Sequence, residues 1–212
     1  MRTKEQVDAI VEALEAEYPL AECALEYEKD YELLFSVRLS AQCTDARVNM
    51  ITPALYERFP TLESFAEAEQ EEVEDLIRSC GFYHTKARDI VLCARMLIER
   101  FDGKVPGTME ELLTLPGVGR KTANLILGDI FHVPGSTVVD THCIRLSNRM
   151  GLVDGLKDPV KIEMALREIL PPEKSSDFCH RIVLHGRAVC DARKPKCEFC
   201  CCAMWCKQFT GV

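Results

Sequence analysis

The stretch Leu115-Pro116-Gly117-Val118-Gly119-Arg120-Lys121-Thr122-Ala123 decides how the rest of this chain is read. Ahead of it, Met109, Leu112, Leu113 and Leu115 recur at helical spacing, with Thr108 placed to cap. Behind it, residues Ala123 to Ile130 form an apolar run long enough for a second helix. A Pro-Gly-Val-Gly turn therefore joins two helices. Gly117 and Gly119 carry no Cβ, so the main chain on either side of Val118 is free to take positive φ and to approach an anion at the mouth of the second helix. Such a turn holds a phosphate without any side chain. A nucleotide P-loop would need Gly-Lys-Ser/Thr behind a strand; here Arg120 separates Gly119 from Lys121 and a helix comes first. A hairpin with glycines for closure alone accounts for the glycines but not for Lys121.

Lys121 falls in the first turn of the second helix, where the positive end of the macrodipole and an expected partial burial both disfavour an ammonium. A lysine held that way can act as an amine nucleophile. Nineteen residues on, Ser136-Thr137-Val138-Val139-Asp140-Thr141-His142 delivers a carboxylate from an extended, β-branched segment. Asp140 also suits the cap of a helix starting near Thr141, and the two roles are compatible.

Together these motifs resemble the endonuclease III branch of the helix-hairpin-helix DNA glycosylases. The likeness extends to Leu39-Ser40-Ala41-Gln42, to Gly81-Phe82-Tyr83 and to the cysteine-rich tail, and so covers nearly the whole chain. It implies an all-α fold of two helical domains with a DNA groove between them: residues 21–134 form a barrel around the hairpin, and residues 1–20 join 135–212 in a cluster-bearing domain. It implies a bifunctional DNA glycosylase and abasic-site lyase that removes oxidised pyrimidines in base excision repair, with Lys121 and Asp140 as its catalytic residues. Gln42 would fill the gap left by the extruded nucleotide, Phe82 would be an apolar wedge, and the Gly117-Val118-Gly119 turn would anchor the DNA backbone. His142 fits a phosphate or structural contact better than a base. The partner is double-stranded DNA carrying damaged bases or abasic sites, met by a monomer in the cytoplasm at the nucleoid. Competing readings are a monofunctional adenine or mismatch glycosylase of the same superfamily, against which Lys121 counts, and a non-catalytic DNA-binding module.

A net charge of −8 over 212 residues argues at first against a nucleic-acid partner. The distribution of charge removes that objection. Residues 1–35 carry ten acids and three bases, and residues 61–80 carry seven acids and one base, a combined −13 that leaves +5 for the rest. Acid is confined to two helical faces. No run of eighteen apolar residues and no signal-peptide pattern is present, so a soluble, unexported protein is expected.

The remaining pattern is helical throughout. A Thr3/Gln6 capping box opens an amphipathic helix carrying Val7, Ile10, Val11 and Leu14. Residues 30–42 read as a buried helix, Thr44 caps the next, and Pro53 is expected to kink or break it. Gly81 is expected at the C′ position of a helix over 70–79, with Phe82 and Tyr83 in a loop before a helix from about Lys86. Asp158 and Pro159 supply a cap and an N1 proline.

Twelve cysteines in an unexported chain do not suggest a disulfide framework. Cys190, Cys197, Cys200 and Cys206 are spaced C-x6-C-x2-C-x5-C, which marks a metal site that thiolate chemistry alone leaves open between tetrahedral Zn²⁺ and a [4Fe-4S] cluster. The resemblance implies the cluster. Cys201 and Cys202 blur the count of ligands. Between the first two ligands, Arg193, Lys194 and Lys196 sit on a short loop suited to gripping phosphates. Most other cysteines read as small buried apolar residues.

Overall fold

The computed structural model describes residues 2–211, and among these the secondary structure is entirely helical. In chain order the helices are α1 (Lys4–Glu17), α2 (Asp30–Ser40), α3 (Asp45–Arg58), α4 (Leu62–Glu67), α5 (Gln70–Ile77), α6 (Tyr83–Phe101), α7 (Met109–Leu112), α8 (Arg120–Asp129), α9 (Thr141–Met150), α10 (Pro159–Ile169), α11 (Ser175–Ala188) and α12 (Lys207–Thr210). Among the described residues no helix is long and apolar enough to cross a membrane.

Local sequence explains most of the boundaries. Thr3 accepts from Gln6 N and Gln6 Oε1 accepts from Thr3 N, closing the capping box of α1. Thr44, Thr108 and Asp158 each accept from the backbone N–H three residues on, at 3.3, 3.2 and 2.9 Å. Of the kink or break expected at Pro53 the break does not occur, and Gly81 departs from its expected role. Helix α3 runs unbroken through Pro53, which removes one main-chain donor without ending the helix. Helix α5 stops at Ile77, and Gly81 does not take the left-handed conformation; Phe82 does, at φ 59°, as the N-cap residue of α6.

The chain divides into two compact units, residues 1–22 with 132–212, and residues 23–131. The second is organised by α2, whose Leu33, Leu34, Phe35 and Leu39 are essentially inaccessible. Phe65 sits among Phe35, Phe59, Tyr31 and Tyr56, with Phe35 edge-on at 5.1 Å. Helix α6 lies over α4 and α5, and α8 packs on α2 through Ala123, Ile126 and Leu127. In the first unit, α1 buries Val7, Ile10, Val11 and Leu14 in one core with Leu146, Met150, Phe178 and Ile182 of α9 and α11. Chain ends distant in sequence thereby share a core. Cys202 of the tail is also buried in it.

Candidate functional site

The hairpin lies wholly within the 23–131 unit. Helix α7 is a single turn ending at Leu112 with Leu113 as its C-cap, and Val118 N donates to Leu115 O at 3.2 Å across the turn. Gly117 takes φ +74°, a conformation that a side chain would strain. Gly119 differs from expectation: its φ of −104° is open to any residue. A Cβ there would meet nothing within 4 Å, so no part of the chain requires this glycine. Gly119 is the N-cap of α8 and supplies no capping side chain, leaving the first-turn N–H groups of that helix without the usual side-chain acceptor. A bare helix mouth with open space in front of it has the geometry and dipole that suit an anion.

Lys121 is the second residue of α8, and its side chain is exposed. The expected partial burial is thus absent. The first-turn position results from a helix that starts at Arg120, three residues before the apolar run begins. Asp140 belongs to the other unit and is half-buried at the N-cap of α9, its Oδ1 accepting from Cys143 N at 2.7 Å. The segment leading to it is anchored by Thr137 and Val139, 0% and 7% exposed. Capping occupies one oxygen of Asp140 and fixes where its carboxylate points. His142, in the first turn of α9, has Nδ1 3.1 Å from Arg145 Nη2 and stands where a Cβ on Gly186 would be, 2.5 Å away. That is a pinned structural position.

Gln42 and Phe82 are both exposed, Phe82 by 67%, and both hold left-handed φ angles, 55° and 59°. Non-glycine residues in that region carry strain of about 1–2 kcal/mol each. Their loops are neighbours. A Cβ on Gly81 would lie 4.0 Å from Gln42 O, and the Cys43 and Cys80 sulfurs are 3.6 Å apart. Beneath them the buried Lys86 Nζ donates to Leu39 O at 2.8 Å, holding the C-terminal turn of α2 from which Gln42 emerges. Burial pulls the Lys86 amine below the usual lysine range, against the pull of Cys80 and Cys43. The sequence pattern gives no sign of Lys86, because its partner is a main-chain carbonyl 47 residues away.

In the tail, Cys190, Cys197, Cys200 and Cys206 line one small, partly open pocket, together with Arg149, Lys196 and Phe209. Among the described residues no three His, Cys, Asp or Glu side chains close tightly enough to hold a single metal ion. The four thiols surround a space instead. Cys201 and Cys202 are not part of its lining: Cys202 is fully buried, with Sγ 3.9 Å from Ile10 O, and Cys201 lies against it at 3.7 Å. Hydrogen bonding from Cys202 and His185 outweighs burial and holds the Cys200 thiol down to about 4. His185 bridges Tyr18 Oη at 3.1 Å and Cys200 Sγ at 3.2 Å. Arg149 Nη1 is 3.4 Å from Cys190 Sγ and donates to Asp191 O at 2.7 Å, while Nη2 donates to Ala192 O at 2.8 Å. A donor set of thiols ringed by N–H groups fits a thiolate-ligated cluster. Arg193 and Lys194 are exposed, with their N–H groups donating to Asp191 Oδ1. Lys196 is exposed too, but its Nζ donates to Ala188 O at 3.1 Å.

A family model described as HhH-GPD superfamily base excision DNA repair protein matches residues 35–172, a span that contains the hairpin, Lys121 and Asp140. Endonuclease III of Synechocystis sp. is 47% identical over 197 residues, covering 93% of this chain and 90% of the relative. A trapped endonuclease III–DNA covalent intermediate superposes with a TM-score of 0.92 at 39% identity, covering 100% of this chain and 99% of that one. A thermostable thymine-DNA glycosylase shares the fold at a TM-score of 0.87 and 22% identity. The chain belongs to the endonuclease III family. Members of that family carry a [4Fe-4S] cluster.

Proposed function

We propose that this chain excises oxidised or ring-saturated pyrimidines from duplex DNA and cleaves the resulting abasic site with one amine, that of Lys121. The observation that carries this reading is an exposed lysine in the first turn of a helix whose N-cap, Gly119, brings no side chain and is approached through Gly117 at φ +74°, an arrangement that suits a phosphate. An amine set beside an anchored phosphate meets the sugar attached to it. A base inside a duplex is out of reach, so the nucleotide must first swing out, with Gln42 and Phe82 filling the gap.

Lys121 Nζ, as the free amine, then attacks C1′. The C1′–N bond breaks, the base departs with the bonding pair and takes up a proton, and the sugar ring opens to a Schiff base on Nζ. The iminium acidifies C2′; loss of a C2′ proton expels the 3′ phosphate by β-elimination, and water releases the unsaturated sugar and regenerates the amine. Asp140 assists deprotonation of the amine and stabilises positive charge on the sugar. Cys190, Cys197, Cys200 and Cys206 would hold the [4Fe-4S] cluster, which supplies rigidity to the tail. On that tail Arg193 and Lys194 face solvent to meet phosphates, and Lys196 does so at the expense of its bond to Ala188 O. The enzyme would work as a monomer in the cytoplasm, at the nucleoid.

Borohydride trapping on abasic duplex tests the central step. A covalent adduct is expected with the wild type and with the surface variant Lys157→Gln, and none with Lys121→Gln. An adduct that persists in Lys121→Gln rules out this nucleophile. A wild type that cuts no abasic site but releases adenine or mismatched bases establishes the monofunctional alternative. A lesion panel then fixes the base.

A further inference from the structure

Two arginines meet one carboxylate directly beneath the hairpin. Arg38, near the end of α2, donates from Nε and Nη2 to Asp89 Oδ2 of α6 at 2.9 and 2.7 Å. Arg88 donates from Nε and Nη2 to the other oxygen, Oδ1, at 3.3 and 2.9 Å. Asp89 is only 6% exposed. The Arg38–Asp89 pair forms the floor of the turn: a Cβ on Gly117 would lie 2.5 Å from Arg38 Nε and 2.9 Å from Asp89 Oδ2. Pro116 and Val118 line the same small cavity as the pair. Two guanidinium groups on one carboxylate leave a net positive charge under main chain that is already shaped for an anion. Arg38 Nη1 has no hydrogen-bond partner among the described residues and is not sealed from solvent.

We propose that Arg38 is a phosphate-binding residue of the hairpin, aimed by Asp89, so that a DNA phosphodiester seated on the Gly117–Gly119 main chain also meets the outer edge of a guanidinium. This rests on the reading of the hairpin as a DNA-backbone site. The planar fork suits both contacts, with the Nε/Nη2 edge on Asp89 and Nη1 left for the phosphate. An arginine already fixed by Asp89 has little rotamer freedom left to lose on meeting it. Asp89 is on this account a positioning residue, negative in charge yet favourable to DNA binding.

Charge counting and positioning make opposite forecasts, which equilibrium binding to a duplex with a stable abasic analogue, run across a salt series, separates. By charge alone, Arg38→Gln and Arg88→Gln weaken binding equally, and Asp89→Asn strengthens it. On the positioning account, Arg38→Gln weakens binding about tenfold and makes the slope of log K against log salt shallower by about 0.9, whereas exposed Arg88→Gln costs less than about twofold. Asp89→Asn weakens binding several-fold despite its added positive charge, and in cleavage assays its loss falls on KM rather than kcat. Equal losses for the two arginine variants, or tighter binding by Asp89→Asn, overturn the proposal. If melting shows Asp89→Asn unfolded, Arg38→Lys decides: it keeps the charge but not the fork, so affinity between wild type and Arg38→Gln supports the proposal and wild-type affinity sinks it. A wild type that binds no duplex overturns the function proposed above; wild-type binding with Arg38→Gln unchanged overturns this inference alone.

Discussion

The hairpin and the cysteine tail are both short loops with charged residues and exposed main chain, but they are held in place by different means. The hairpin rests on packed helices. Leu112, Leu115 and Ala123 anchor its two arms at 0–3% exposure, and the ion pair of half-buried Arg38 with buried Asp89 fills the space under Gly117. The tail has less of such support: Cys202 enters the core, while Trp205, Cys190, Cys200, Cys201 and Cys206 pack against it only partly buried. Its 3-10 turns at Cys197–Phe199 and Ala203–Trp205 bury no residue, and Phe199, Met204 and Phe209 are 73%, 71% and 55% exposed. It is tied down by Cys202 in the core and by hydrogen bonds from Arg149, Arg145 and His185. One loop is shaped by its own protein. On the proposed assignment, the other would be completed by the cluster its four thiols hold.

The largest effect expected from that difference is on the tail. Cys200→Ser, or chemical removal of iron, should abolish absorbance near 400 nm and hydrogen-exchange protection across residues 190–211, and should weaken duplex binding by an order of magnitude or more through loss of ordered phosphate contacts. Exchange within residues 23–131 should stay as in the wild type; equal loss in both units would mean that the hairpin is no more self-supporting than the tail. The hairpin's own weak point is Gly117. Alanine there incurs about 1–2 kcal/mol for φ +74° and about 1–3 kcal/mol more for displacing Arg38 from Asp89. Denaturant unfolding should report about 2–5 kcal/mol lost, whereas Gly119→Ala should cost under about 1 kcal/mol yet still impair DNA binding.

Phe82 offers a finer comparison, between stability and function inside one unit. Phe82→Gly relieves the left-handed strain and should raise unfolding free energy by about 1 kcal/mol, while slowing base removal from duplex several-fold. A variant that is more stable and equally active would show that the exposed ring does not act as a wedge. The smallest effect concerns Lys86. Its folded amine is depressed by burial, so between its folded value and the unfolded value of 10.5 the folded state holds fewer protons. Wild-type stability should therefore rise with pH through that window, and Lys86→Met should flatten the rise in pH-dependent melts. A steeper rise in the variant would contradict the assignment.

Much of the functional pattern is legible in the chain because it is local. The hairpin turn, the Asp140 cap, the Thr3/Gln6 box and the C-x6-C-x2-C-x5-C spacing are fixed by residues a few positions apart, where backbone geometry leaves few alternatives. Local rules fail where they meet a tertiary demand. Gly81 is the natural left-handed residue, yet Phe82 takes that conformation beside the Gln42 loop. A first-turn position predicts partial burial for Lys121, and the residue is exposed because α8 turns Ala123, not Lys121, toward the core.

What the sequence determined by itself is the set of reactive groups and their local frames: an amine at a helix mouth, a capping carboxylate, four spaced thiols. Only the tertiary structure decided what stands behind them. Arg38 reads in sequence as one charge in an apolar run, and its partner lies 51 residues away. Cys43 meets Cys80 across 37 residues, and Arg149 meets Asp191 across 42. Local pattern encodes direction along one helix or turn; it carries no record of which distant side chain must neutralise a charge once water has been removed from around it.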